Sequence, residues 1–166
     1  MIVTNYKMAR ILQEPWTKKE IKSKNKITLN KAAIYMWPNF AEVGECVLLK
    51  SEIRKDNINI DFMKTIYGDN TGIEAMINHI HIEDIIPEFH SLQRDSFRFA
   101  LLLLELWEAK LKKDFPQRSF VLILSSIKNQ NVIRVHTLRE NEKSWIDLRN
   151  LDNYMDAILV KIIESK

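Results

Sequence analysis

Apolar positions crowd most densely between residues 91 and 139. Over Leu92–Lys113, Phe97, Ala100, Leu104, Trp107 and Leu111 recur at three- and four-residue steps, the stripe of an amphipathic helix. Leu103 and Leu106 widen the stripe, and Arg94, Arg98, Glu105 and Lys112 mark the opposite face, with Leu101 an apolar residue among them. Ser91 suits the N-cap and Asp95 the first turn, Lys110, Lys112 and Lys113 suit the last turns, and Pro116 prevents continuation. Phe120–Leu124 is almost wholly apolar, as a central strand covered on both faces requires. Lys128–Asn131 is a polar connection of hairpin length. Beyond it, in Val132–Arg139, Ile133 and Val135 face one side and Arg134 and His136 the other.

The remaining elements are shorter. Asn5–Gln13 has helical spacing and ends before Pro15. Thr17-Lys18-Lys19-Glu20 has capping-box spacing and opens a short basic helix through Lys24. Ala33–Trp37 and Cys46–Ile53 are rich in Ile, Val, Leu, Tyr and Trp on either side of Pro38-Asn39 and Gly44, so two strands joined by a loop are predicted. Ile58–Tyr67 fits strand or helix, and Asn70–Asn78 reads as a capped helical turn. His79–Ile86 is predicted as a strand that places His79, His81 and Glu83 on one face, ended by Pro87. Ser144–Asn150 opens a short helix. Ala157–Ile163 reads as a last strand, with a helix from Asp152 as the competitor.

These elements predict one α/β (α+β) domain over residues 1–166: a mixed sheet of five or six strands packed on one long helix, 92–113, behind a basic N-terminal segment, 1–31. An apolar fraction of 46% and a charged fraction of 28% suit an ordinary globular core. Cys46 is the single cysteine, so no internal disulfide forms and a reducing compartment is the natural expectation. The longest apolar run, Phe99–Leu104, is far short of the ~20 residues of a membrane span, and the first ten residues lack a secretory pattern. A cytoplasmic protein with no membrane partner is expected.

Charge and motif content narrow the chemistry. Residues 1–35 hold eight Lys/Arg against two Glu, and the rest hold seventeen against twenty Asp/Glu. The lysines of Lys18–Lys31, with Trp16, Tyr35 and Trp37 as stacking neighbours, suit nucleic-acid binding; a solvated basic face accounts for them equally. Three glycines and no GxxxxGK[ST], GxGxxG or GxSxG argue against nucleotide cradles. His79-x-His81 on a strand points two imidazoles the same way, which a metal-dependent hydrolase could use if Glu83, His90 or His136 completed the set. Two polar residues on a solvent face explain the pair as well. Glu83, Asp84 and Glu88 form an acidic knot suited to steering a basic partner. Trp145 is an aromatic residue of the kind enriched at interface hot spots, or else pins a short helix to the sheet. No cofactor is expected.

The stretch ALLLLELWEAKLKKDFPQRSFVLIL, followed by VIRVHTLRENEKSWIDLRNLDNYMDAILV, resembles small bacterial immunity proteins encoded beside polymorphic toxins, such as those of contact-dependent growth inhibition systems. The shared order is long helix, Phe-Pro stop, apolar strand, His/Arg-bearing strand and Ser-Trp helix, over residues 92–163. The resemblance implies a non-enzymatic protein that binds a cognate toxin C-terminal domain and blocks it. Many such toxins are basic nucleases and their inhibitors acidic; the net charge of +3 departs from that. Glu83, Asp84, Glu88, Arg134, His136 and Trp145 are the expected contact residues.

Overall fold

The computed structural model describes residues 1–13, 29–53, 58–128 and 130–165. Residues 14–28 of the basic N-terminal segment, including Trp16 and Lys18–Lys26 and the short basic helix expected there, lie outside them. The main sheet has five strands in the order β1-β7-β5-β6-β4, every pair antiparallel. They are β1 (Ile2–Thr4), β4 (His79–His81), β5 (Phe120–Ile127), β6 (Gln130–Thr137) and β7 (Ala157–Ile163). The α/β fold and the strand number match the sequence expectation; the sheet is antiparallel throughout rather than mixed. A two-stranded hairpin, β2 (Phe40–Val43) and β3 (Cys46–Leu49), stands beside it. Gly44 takes the first position of its two-residue turn with φ 59°, where glycine is favoured.

The helices are α1 (Tyr6–Gln13), α2 (Leu29–Met36), α3 (Ile60–Tyr67), α4 (Asn70–Ile77), α5 (Ile82–Ile85) and α6 (Gln93–Asp114). The long α6 starts one residue later than expected. Leu92 occupies its N-cap, while the Ser91 hydroxyl donates to the Glu88 carbonyl at 3.0 Å. The stripe packs as the periodicity requires: Phe97, Ala100, Leu103, Leu104, Trp107 and Leu111 are buried against Leu122, Leu124, Ile133, Val135 and Leu159 of the sheet. Leu101 also leans on this core, and the leucine left in the open is Leu102. Lys161, on the same sheet face, ion-pairs with Glu105 at 2.7 Å and with Glu108 of α6. Val121, Ile123, Ile158 and Val160 line the opposite face, covered by Ile146, Leu148, Leu151 and Tyr154. Both faces of β5 are thus buried, which is why its sequence is a continuous apolar run. Among the described residues, no helix is long and apolar enough to cross a membrane.

Three segments differ from the expected elements. Ala33–Trp37 is helical, not a strand. Its β-rich composition masked a helical period: Ala32, Tyr35 and Met36 turn toward the core and Ile34 and Trp37 away from it. The segment His79–Ile86 is a three-residue strand followed by α5, because Ile82, Glu83, Ile85 and Ile86 are buried while Asp84 is exposed. Ser144–Asn150 forms bends rather than a helix; the Asp147 carboxylate accepts from Arg149 N and Asn150 Nδ2. The two open segments resolve as helix at Ile60–Tyr67 and strand at Ala157–Ile163.

Gly72 marks the tightest joint. A Cβ there would meet the Tyr67 carbonyl oxygen at 2.1 Å, where α3 turns into α4. Neither backbone can withdraw easily, because the Asp69 carboxylate caps α4 through Gly72 N at 2.7 Å. Gly72→Ala is expected to cost roughly 1–3 kcal/mol, read as a lowered urea midpoint with an unchanged slope; a wild-type midpoint would show that the joint relaxes.

Candidate functional site

The acidic knot comes apart in the structure. Glu83 is 2% exposed. Its carboxylate accepts from Ser96 Oγ at 2.5 Å, from Asn131 N at 3.1 and 3.2 Å, and from Asn131 Nδ2 at 3.2 Å. It therefore ties α5 to α6 and β6 and presents nothing to a partner. Glu88 is half-buried in the single turn Pro87–His90, and Asp84 is exposed. Asp84 lines a cleft of about 300 Å³ at the outer edge of β4, together with Tyr35, Glu52, His79 and His81.

The two histidines do share a side of β4. Their rings meet edge to face, with centroids 5.5 Å apart. The Nδ1–H of His79 donates to the Met76 carbonyl at 2.6 Å. None of the three residues expected to complete a metal set joins them. Glu83 is committed to Asn131, His90 lies on the turn after α5, and His136 is enclosed elsewhere. Among the described residues no group of three His, Cys, Asp or Glu could hold a metal ion.

His136 is 1% exposed. Its Nδ1–H donates to the Thr137 carbonyl at 3.0 Å, and Nε2 accepts from Ser144 Oγ at 3.2 Å and Trp145 N at 3.4 Å. A neutral imidazole thus latches the Ser144-Trp145 segment onto the sheet. Burial pushes its pKa down, in line with that neutral form. The latch leaves the Trp145 side chain 40% exposed. Arg134, two residues back on β6, lies on the same face of the sheet. Burial lowers its pKa, with the charge of Asp156 acting the other way. Its Nε is enclosed and has no hydrogen-bond partner. Of the six expected contact residues, Arg134 and Trp145 therefore come together on one face, Asp84 stands at the β4 edge, Glu88 sits half-buried on the turn after α5, and Glu83 and His136 belong to the framework.

A second polar concentration was missed in the sequence. Glu74, fully buried, accepts from Val47 N at 2.7 Å, Thr137 N at 2.6 Å, Thr137 Oγ1 at 2.9 Å and both Arg139 terminal nitrogens at 2.9 Å. Glu142 covers the start of α4, accepting from Thr71 N at 2.8 Å and Thr71 Oγ1 at 2.7 Å. Burial works to raise the Glu142 carboxyl, but the bonds from Thr71 and the charge of Arg139 hold it below the usual range. A groove of about 610 Å³ lies alongside, lined in part by Glu45, Arg118 and Arg139. Its arginines are already engaged, Arg139 by Glu74 and Arg118 by Glu42 at 2.7 Å. Cys46 is equally inert: burial pushes its thiol up to about 11. The spacing of Glu74 and Asn78, one turn apart in an otherwise apolar segment, was the available signal.

The sequence profile of the Uncharacterized protein PM0498 family matches residues 3–166, and the chain belongs to that family. No curated protein and no solved structure matches it.

The His136 latch makes stability depend on pH. Unfolded, the imidazole titrates near its ordinary 6.5; folded, its pKa is lower. The unfolded chain therefore binds the extra proton, so stability is full above that value and lost as pH falls below it. The urea midpoint is expected to drop between about pH 7.5 and 5.5, and less steeply in His136→Gln; equal slopes would remove His136 from the account.

Proposed function

We propose that this protein is a non-enzymatic binding protein that neutralises a cognate bacterial toxin domain by occluding its active site. The observation that carries the reading is the placement of Trp145 and Arg134 on one side of the sheet. An aromatic side chain is held 40% exposed by a buried latch, on the same sheet face as a guanidinium whose Nε has no partner. Trp and Arg are the residue types that dominate interface energetics, and both gain most when a partner removes them from water. The order of elements supports it too: α6, the Phe115-Pro116 stop, β5 and the His/Arg-bearing β6 follow one another as the resemblance to immunity proteins implies. The Trp145 region differs in being a latched loop rather than a helix.

The test is co-expression with the C-terminal domain of the reading frame immediately upstream. The expected result is growth arrest relieved by this protein, with a stable 1:1 complex. Trp145→Ala is expected to weaken the complex by about 2 kcal/mol or more, roughly 30-fold. A harmless neighbour that fails to co-purify, or a Trp145→Ala variant that binds at full strength, would contradict the proposal.

A further inference from the structure

Arg134 stands directly opposite His79 in the β4–β6 register. Opposed residues of an antiparallel pair share a face, with Cβ atoms about 5 Å apart. His81 follows two residues along β4 on that face. On the other side of Arg134 the same row continues through Ile123 of β5 to Val160 of β7, both buried and apolar. Arg134 thus sits between a histidine-bearing edge strand and an apolar row on this face. Its enclosed Nε has no hydrogen-bond partner, and the charge of Asp156 acts on the guanidinium. A guanidinium carries five donors in a planar fork, and burying it without an acceptor is costly.

We propose that Arg134, with His79 beside it, forms a socket for a carboxylate supplied by an Asp or Glu side chain of a protein partner. The fork matches a carboxylate through two parallel N–H···O bonds. His79 stands beside Arg134 in the strand register, with its Nδ1–H already given to the Met76 carbonyl. The surroundings favour one carboxylate over a nucleic-acid backbone. Glu52 and Asp84 line the adjoining cleft and Asp156 acts on Arg134 itself, so a polyanion would meet like charge on several sides where a single acidic side chain needs only the guanidinium. The identity of the occupant as a protein side chain rests on the binding reading above; the socket itself does not. It also reverses the electrostatic expectation drawn from the acidic knot: the partner brings the acid and this chain the base.

The test needs no partner. Sodium acetate is titrated against sodium chloride at equal ionic strength, while the Arg Nε–H and His Cε1–H resonances are followed. Saturable shifts are expected at Arg134 and His79. Arg134→Gln should weaken acetate binding roughly tenfold or more, and Arg134→Lys, which keeps the charge without the fork, should fall between. Backbone amide spectra of both variants report whether they fold. Shifts that do not saturate, or that persist in Arg134→Gln, would overturn the socket. So would a short oligonucleotide that displaces acetate from the same resonances. If a toxin complex is captured and Arg134→Gln leaves its affinity unchanged, the carboxylate socket fails while the binding reading stands; if acetate binds and no toxin is captured, the reverse holds.

Discussion

Glu74 is the point on which two sheets meet. Its carboxylate, wholly removed from water, is compensated by Val47 N of the hairpin, by Thr137 at the end of β6 and by the paired donors of Arg139. Removing one partner of such a buried pair costs about 3–5 kcal/mol, because the other is left charged and unsolvated. One turn along α4, Asn78 repeats the device without charge. Its Oδ1 accepts from Leu49 N at 2.7 Å, and its Nδ2 donates to Val47 O at 2.7 Å and Val135 O at 3.2 Å. Side chains at i and i+4 share a helix face, so α4 is clamped between β3 and β6 by two residues standing in for a missing strand.

The consequence reaches the candidate site through chain connectivity. β4 begins at the residue after Asn78, which is itself bonded to Val47, Leu49 and Val135, so its entry point is tied to both β3 and β6. The clamp therefore sets which β4 residue meets which β6 residue. A slip of one position would turn Ile80 outward and drive His79 and His81 into the core. With the register held, His79 faces Arg134 and Ile80 fills the main core. A second clamp works from the far side: His136, buried and neutral, holds Ser144 and Trp145 over the sheet. Two buried polar groups thus flank the Arg134 end of this sheet face, the charged one at the β4 entry and the neutral one under a loop.

Much of this frame was legible in the sequence where one period dominated. The α6 stripe, the doubly buried β5 and the alternation of β6 read directly because a single packing environment extends over many residues. The alternation even placed Arg134 and His136 together, but did not show that His136 is enclosed or that the Arg134 Nε is left without a hydrogen bond. Failures fall where composition and period disagree. Ile34, Tyr35 and Trp37 favour strands, yet the burial of Ala32, Tyr35 and Met36 follows a helix. Glu83 looked like surface charge because its partners, Ser96 and Asn131, lie 13 and 48 residues away. Glu74 and Arg139, 65 residues apart, were hidden for the same reason. Long-range polar pairing leaves no local period to read.

The central claim is that the Glu74 clamp sets the β4 register and so brings His79 opposite Arg134. Amide hydrogen exchange of wild type and Glu74→Gln tests it most directly, since glutamine keeps the shape and removes the charge. If the claim holds, protection falls at Val47 and Thr137, which bond to the carboxylate, and falls with them at Val135 and the β4 amides. Loss confined to Val47 and Thr137, with β4 as protected as in wild type, would show that the strand finds its register without the clamp.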